Sequence, residues 1–202
     1  MVYYLGYKNV GEKYPDFDFV DFDFKDALAI DRTRSGHELK RTGVDAFQSG
    51  LLISPDHVPN RARWSSRSAP VDYVTLRGSS CISPRMKAII EQFEPDAHQF
   101  FPLTVVNKTG DVIAERWLWV VCNRIDSVDR ERTNLFLKHG MTWRADGVEK
   151  PKLVFSLAQI GRCHFWRDKH LDSGNLICSD QAGVALAAAN LTSLKLTQKE
   201  TV

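Results

Sequence analysis

Four groups of residues in this chain have side chains that could do chemistry. His98, in Asp96-Ala97-His98-Gln99, stands where an apolar periodic segment hands over to an aromatic, β-branched one. An imidazole there could act as a general base, or it could be a structural histidine held by hydrogen bonds, and the second reading is preferred. Cys163 and His164 are sequence neighbours. Neighbours on a strand point to opposite faces, so a thiolate–imidazole pair would need other partners. Asp16, Asp18, Asp21, Asp23 and Asp26 are interleaved with Phe17, Phe19, Phe22 and Phe24. Such carboxylates could hold a divalent cation, but phenylalanines stand where a calcium loop has glycine and polar spacers. An amphipathic edge strand and a partner-binding patch remain open for this run, because carboxylates among aromatics suit a basic protein surface. Arg61, Arg63, Trp64 and Arg67 form the opposite case, a basic cluster with one aromatic. It reads as a solvated loop, since binding single-stranded nucleic acid needs more stacking residues.

The usual catalytic signatures are absent: no G-x-S-x-G elbow, P-loop, G-x-G-x-x-G, H-E-x-x-H or calcium loop is written here. Cys81, Cys122, Cys163 and Cys178 contain no C-x-x-C pair, so they read as reduced, buried thiols rather than a zinc or redox motif. No catalytic residue, metal or cofactor is therefore expected. Against 27 basic residues stand 25 acidic ones, a net charge of +2 that gives no overall field for nucleic acid or an anionic membrane. The opening Met-Val-Tyr-Tyr-Leu-Gly lacks the basic region and apolar run of a secretory signal, and no stretch approaches the ~20 apolar residues that span a bilayer, so a cytoplasmic address is expected. With 202 residues, 43% of them hydrophobic, one domain with a sizeable core is expected over 1–202.

The elements that must position these residues are legible from Cys81 onward. Ser83 offers an N-cap hydroxyl and Pro84 suits the first helical position, after which Met86, Ile89, Ile90 and Phe93 recur with the spacing of one buried helical stripe. Pro95 stops that helix. Gln99 to Val106 and Val112 to Cys122, joined by Asn107-Lys108-Thr109-Gly110, read as a β-hairpin. In its second arm Trp117, Trp119 and Val121 share one face while Leu118, Val120 and Cys122 share the other, so both faces should be covered and the hairpin central. Asp126 to Lys150 reads as a charged connector, with Asp129-Arg130-Glu131-Arg132 solvated. Lys152 to Phe155 and Cys163 to Trp166 look like short strands. Leu176-Ile177-Cys178 leads into a second cap at Ser179-Asp180, an alanine-rich helix, a left-handed terminator at Asn190 and a last strand from Leu194. Residues 1 to about 70 look polar and irregular, with a short strand at Val2 to Tyr7, a period-two Asp/Phe run that slips at Val20-Asp21, and loops at Ser54-Pro55-Asp56 and from Arg61 to Pro70. The fold class is α+β: a mainly antiparallel sheet with two short Ser-capped helices packed on it, plus a loop-rich N-terminal third.

The passages Ile82-Ser83-Pro84-Arg85-Met86-Lys87 and Phe93-Glu94-Pro95-Asp96-Ala97-His98-Gln99-Phe100-Phe101-Pro102 resemble the signature of a bacterial family of polymorphic-toxin immunity proteins, family eleven. So do the turn at Gly110, Asn123-Arg124-Ile125-Asp126-Ser127-Val128-Asp129, and Ile160 to Asp168 with Ile177-Cys178-Ser179-Asp180. The resemblance covers roughly 80–197, leaving 1–79 as a variable part; Asp96-Ala97 replaces the family's glycine-containing turn, and His37 to Ser80 matches nothing in it.

The resemblance implies a protein made beside a secreted toxin, as in type VI secretion, that blocks the toxin arriving from sibling cells. It supplies no catalytic residues. Ser83, His98, Gln99, Pro102, Arg167 and Ser179 are then structural signature positions, and His98, Arg167 and Ser179 hold the fold by capping and buried polar pairing. The expected partner is a cognate toxin, for instance a basic nuclease, met by Asp16, Phe17, Asp18, Asp21 and Asp23; the loops of 37–80 are the next candidate surface. Neither membrane nor nucleic acid is expected as a direct partner, and a homo-oligomer is compatible with the reading. The rival functions are an enzyme that modifies the toxin or its target, and an adaptor that loads an effector onto a secretion machine.

Overall fold

The computed structural model describes residues 1–8, 15–20, 22–23, 25, 27–31, 39–76, 78–171 and 175–202. Asp21, Phe24, Asp26 and His37, and with them the expected slip in the Asp/Phe run, lie outside the described residues. From the N-terminus the elements are β1 (Val2–Tyr7), β2 (Phe17–Phe19), the ribbon β3 (Leu28–Asp31) and β4 (Leu39–Thr42), the short helix α1 (Val44–Gln48) and β5 (Arg61–Trp64). Next come β6 (Tyr73–Leu76), β7 (Ser79–Ile82), α2 (Pro84–Phe93), and the hairpin β8 (Gln99–Val106) and β9 (Val112–Val120). The last part holds β10 (Arg124–Ile125), the ribbon β11 (Phe136–Lys138) and β12 (Thr142–Arg144), β13 (Val154–Phe155), α3 (Leu157–Ile160), β14 (Phe165–Asp168), β15 (Leu176–Ser179), α4 (Asp180–Ala188) and β16 (Leu194–Thr201).

Two six-stranded sheets result, ordered β10-β14-β15-β1-β16-β13 and β2-β5-β8-β9-β7-β6. Most pairings are antiparallel, and β5–β8, β10–β14 and β13–β16 are parallel. The class is α+β, dominated by sheet. The alternation read from β9 is what organises it. Trp117, Trp119 and Val121 join Tyr73, Ile82, Phe165, Leu176 and Leu5 in a core between the sheets, shared with Met86 and Ile90 of α2 and Ala182 and Leu186 of α4. Leu118, Val120 and Cys122 face a second core. A third lies behind the first sheet, around Val2, Phe155, Trp166 and Ile177.

The helices α2 and α4 begin on the expected caps. The Ser83 hydroxyl accepts from the Met86 N–H at 3.3 Å, and the Ser179 hydroxyl from Ala182, also at 3.3 Å. Asn190 has φ 49° just past the end of α4, the left-handed conformation that terminates a helix. The turn of the β8–β9 hairpin closes through the Asn107 carboxamide, which accepts from the N–H of Thr109 and of Asp111, each at 2.9 Å, with Gly110 at φ 94°.

The N-terminal third departs from expectation. Arg61–Trp64 is a strand, not a loop: β5 lies between β2 and β8, with Ala62 and Trp64 buried at 0% and 3% exposure. Of the described residues between 27 and 64, Ala29, Ala46, Phe47, Ile53 and Trp64 are buried in the outer core of the second sheet. The connector from 126 to 150 also holds more structure than its charge suggests. Its ribbon places Trp143 against the third core, while Arg130, Glu131 and Arg132 are exposed as read and Asp129 is half-buried, accepting from the N–H groups of Glu131 and Arg132.

Candidate functional site

Glu94 is the C-cap of α2, the negative end of the helix dipole, where a carboxylate is disfavoured unless donors arrive from elsewhere. Four do. His98 Nε2 donates at 2.9 Å, Asn123 Nδ2 at 3.1 Å, and the N–H groups of His164 and Phe165 at 2.8 and 3.0 Å. Burial alone would raise the Glu94 pKa, but the hydrogen bond from His98 and those from His164 and Phe165 hold it below its ordinary value. His98 Nδ1 accepts from the Cys122 N–H at 3.3 Å, which leaves the hydrogen on Nε2. Its ring is packed edge-on against Trp119 and Phe165, with the side chain at 0% exposure. The candidate general base thus has both nitrogens committed and no path to a substrate.

Ser179 and Gln99 are also engaged internally, and Pro102 is not. The Ser179 hydroxyl caps α4 and has its hydrogen left for His164 Nδ1, 2.8 Å away. Burial pushes the Cys163 thiol up, assisted by the charge of Glu94, away from the thiolate that a nucleophile requires. Gln99 makes a ladder-like pair with the backbone of Ile53, accepting from its N–H at 2.7 Å and donating to its carbonyl at 2.9 Å. That pair ties residues 49–54 to the central hairpin. Pro102 is exposed on β8 opposite Trp117.

At the acidic run, β2 is the edge strand of the second sheet. Phe17 is 7% exposed, and with Phe19 and Phe22 it packs into the outer core, Phe17 lying 5.7 Å from Trp64 ring to ring. Phe17 is therefore an anchor of the fold. Asp16, Asp18 and Asp23 are exposed. Asp18 sits opposite Arg63 in the β2–β5 register, Arg61 and Arg63 are exposed beside it, and Lys25 lies 3.9 Å from Asp23. Among the described residues, this surface is consequently a stripe of both signs.

Arg167 stands apart. It is 4% exposed, on the face of β14 that carries Phe165. Its neighbour Asp168 points the other way and is fully occupied, accepting from the N–H and hydroxyl of Ser127 at 2.7 Å each and from the N–H groups of His170 and Leu171 at 2.7 and 3.1 Å. Arg167 Nε and Nη1 are buried and make no hydrogen bond to any described residue, so the buried polar pairing expected of this position is missing. Burial lowers its pKa to about 10, partly offset by Tyr73. It lines a cleft of about 250 Å³ between the sheets.

Among the described residues, no group of three His, Cys, Asp or Glu is placed to hold a metal, and no helix is long and apolar enough to cross a membrane. An α+β fold in which Ser83, His98, Gln99 and Ser179 serve its own cohesion describes the class. Residues 49–201 match the defining pattern of the immunity protein family (Imm11), and the chain belongs to that family. The match begins at residue 49 rather than 80, in keeping with the structural role of residues 49–64. No curated protein matches the chain. Sequence reasoning quoted Glu94 and Asn123 without giving them a role; the available signal was a carboxylate at the wrong end of a helix.

Proposed function

We propose that this protein neutralises a cognate toxin by binding it directly, one molecule to one, without catalysis. The observation that carries this reading is the family match over residues 49–201. The chemistry of the interior agrees with it: His98 has both ring nitrogens engaged, and the Cys163 thiol is held in its protonated form. The partner is a toxin with a basic surface, such as a nuclease, met in the cytoplasm of the producing cell.

The recognition surface we favour is the exposed edge at β2, where Asp18 sits opposite Arg63 and Asp16, Asp23 and Arg61 are also exposed. Charges at the rim of an interface act on encounter and register more than on final affinity, and a stripe of both signs discriminates among rival toxins. Phe17, Phe19 and Phe22 hold this stripe rigid from beneath. The test is size-exclusion chromatography with mass determination of the protein mixed with the toxin encoded beside it. A stable one-to-one complex is expected; failure to form any complex at micromolar concentration contradicts the reading.

A further inference from the structure

We propose that the cleft around Arg167 is a binding site for an oxyanion, a phosphate or carboxylate group, that joins the two sheets. A buried guanidinium without a partner is costly, and charges inside proteins are as a rule paired and hydrogen-bonded. Here the adjacent carboxylate, Asp168, is spent on four other donors, and Nε and Nη1 of Arg167 are left over. Among the described residues, the other polar ones lining the cleft are Tyr7, Gln48, Tyr73, Thr75 and Ser80, which carry hydroxyls and an amide but no carboxylate. One cation among neutral donors, with no acid among the described residues of the cleft to neutralise it, selects a negative ligand.

The position agrees with this. Tyr7 and Arg167 belong to the first sheet, Tyr73, Thr75 and Ser80 to the second, and Gln48 ends α1. The volume of about 250 Å³ is far above the ~10–15 Å³ that a single water requires, so the space admits a polyatomic group. The oxyanion can be a free small molecule or a carboxylate presented by the bound toxin. Both use the same donors.

The experiment is a melting-temperature titration of the whole chain with sodium phosphate, sodium acetate and sodium chloride at matched ionic strength, from millimolar to molar. Phosphate or acetate should raise the midpoint by about 2–4 °C or more over chloride, since a ligand of the native state stabilises it. In Arg167→Met that difference should vanish, while melting in chloride stays at or above wild type because an unpaired buried charge has been removed. Should that variant fail to fold, Thr75→Val should shrink the phosphate shift and leave melting in chloride unchanged.

Repeating the titration on the toxin complex separates the sources. A retained shift assigns the cleft to a free anion, and a lost one assigns it to a toxin carboxylate. No shift in phosphate or acetate, or an equal shift in Arg167→Met, overturns the proposal. The first titration uses the chain alone, so its failure is distinguishable from failure of the toxin-binding reading.

Discussion

Replacing Glu94 with glutamine keeps the side chain's shape and removes its charge. One carboxylate oxygen accepts from Asn123 Nδ2 and the His164 N–H, the other from His98 Nε2 and the Phe165 N–H. A carboxamide can satisfy one of these pairs through its oxygen, whereas its NH₂ meets the other pair donor to donor. His98 cannot switch tautomer to help, because its Nδ1 is already accepting from Cys122. Each stranded buried donor costs about 1–3 kcal/mol, so Glu94→Gln should destabilise the fold by about 3–5 kcal/mol. For a chain of this size that lowers the melting temperature by about 6–20 °C.

A pH signature accompanies the loss. The Glu94 pKa is held below its ordinary value of 4.5 in the folded protein, so its contribution is present above that pH and is lost as pH falls through the folded value. Urea unfolding should therefore show a wild-type decline in stability below pH 4.5 that is shallower in Glu94→Gln. A variant within about 1 kcal/mol of wild type, with the same pH slope, refutes the account of this knot.

Three further outcomes are expected. Ser83→Ala should lose about 0.5–2 kcal/mol in urea unfolding, because the Met86 N–H loses its acceptor. Gln99→Leu should cost about 1–3 kcal/mol, since both backbone groups of Ile53 lose their partner, and should speed proteolysis around residues 49–54. Replacing Asp16, Asp18, Asp21 and Asp23 with asparagine should change stability by less than about 1 kcal/mol. In stopped-flow with the cognate toxin the same variant should associate more slowly and with a flatter dependence on ionic strength; equal rates and equal salt slopes would move recognition to another surface.

Local signals were strong wherever one segment carried enough of them. Ser83-Pro84 and Ser179-Asp180 place a cap beside a helical run, and β9 alternates aromatic and aliphatic residues long enough to show two covered faces. Arg61-Ala62-Arg63-Trp64 has the period of a half-buried strand, but four residues between Ser-rich and Pro-containing flanks are too few to read as one. Its parallel partner β8 lies some forty residues away in sequence, a pairing no local pattern encodes. The same holds for Gln99 with Ile53 and for the donors that gather on Glu94. At the candidate surface, the Asp/Phe alternation correctly implied one apolar and one charged face. It could not show that Arg61 and Arg63 would lie alongside, because that depends on the β2–β5 register.

The claim that this protein acts by binding is tested most directly by titrating it against a fixed amount of the cognate toxin and following residual toxin activity at once and after long incubation. The account predicts a linear fall to zero at one equivalent, identical at both times. Complete inactivation by a small fraction of an equivalent, deepening with incubation, would make the protein an enzyme; full activity in excess protein, with a complex still formed, would make it an adaptor, and either result contradicts the account.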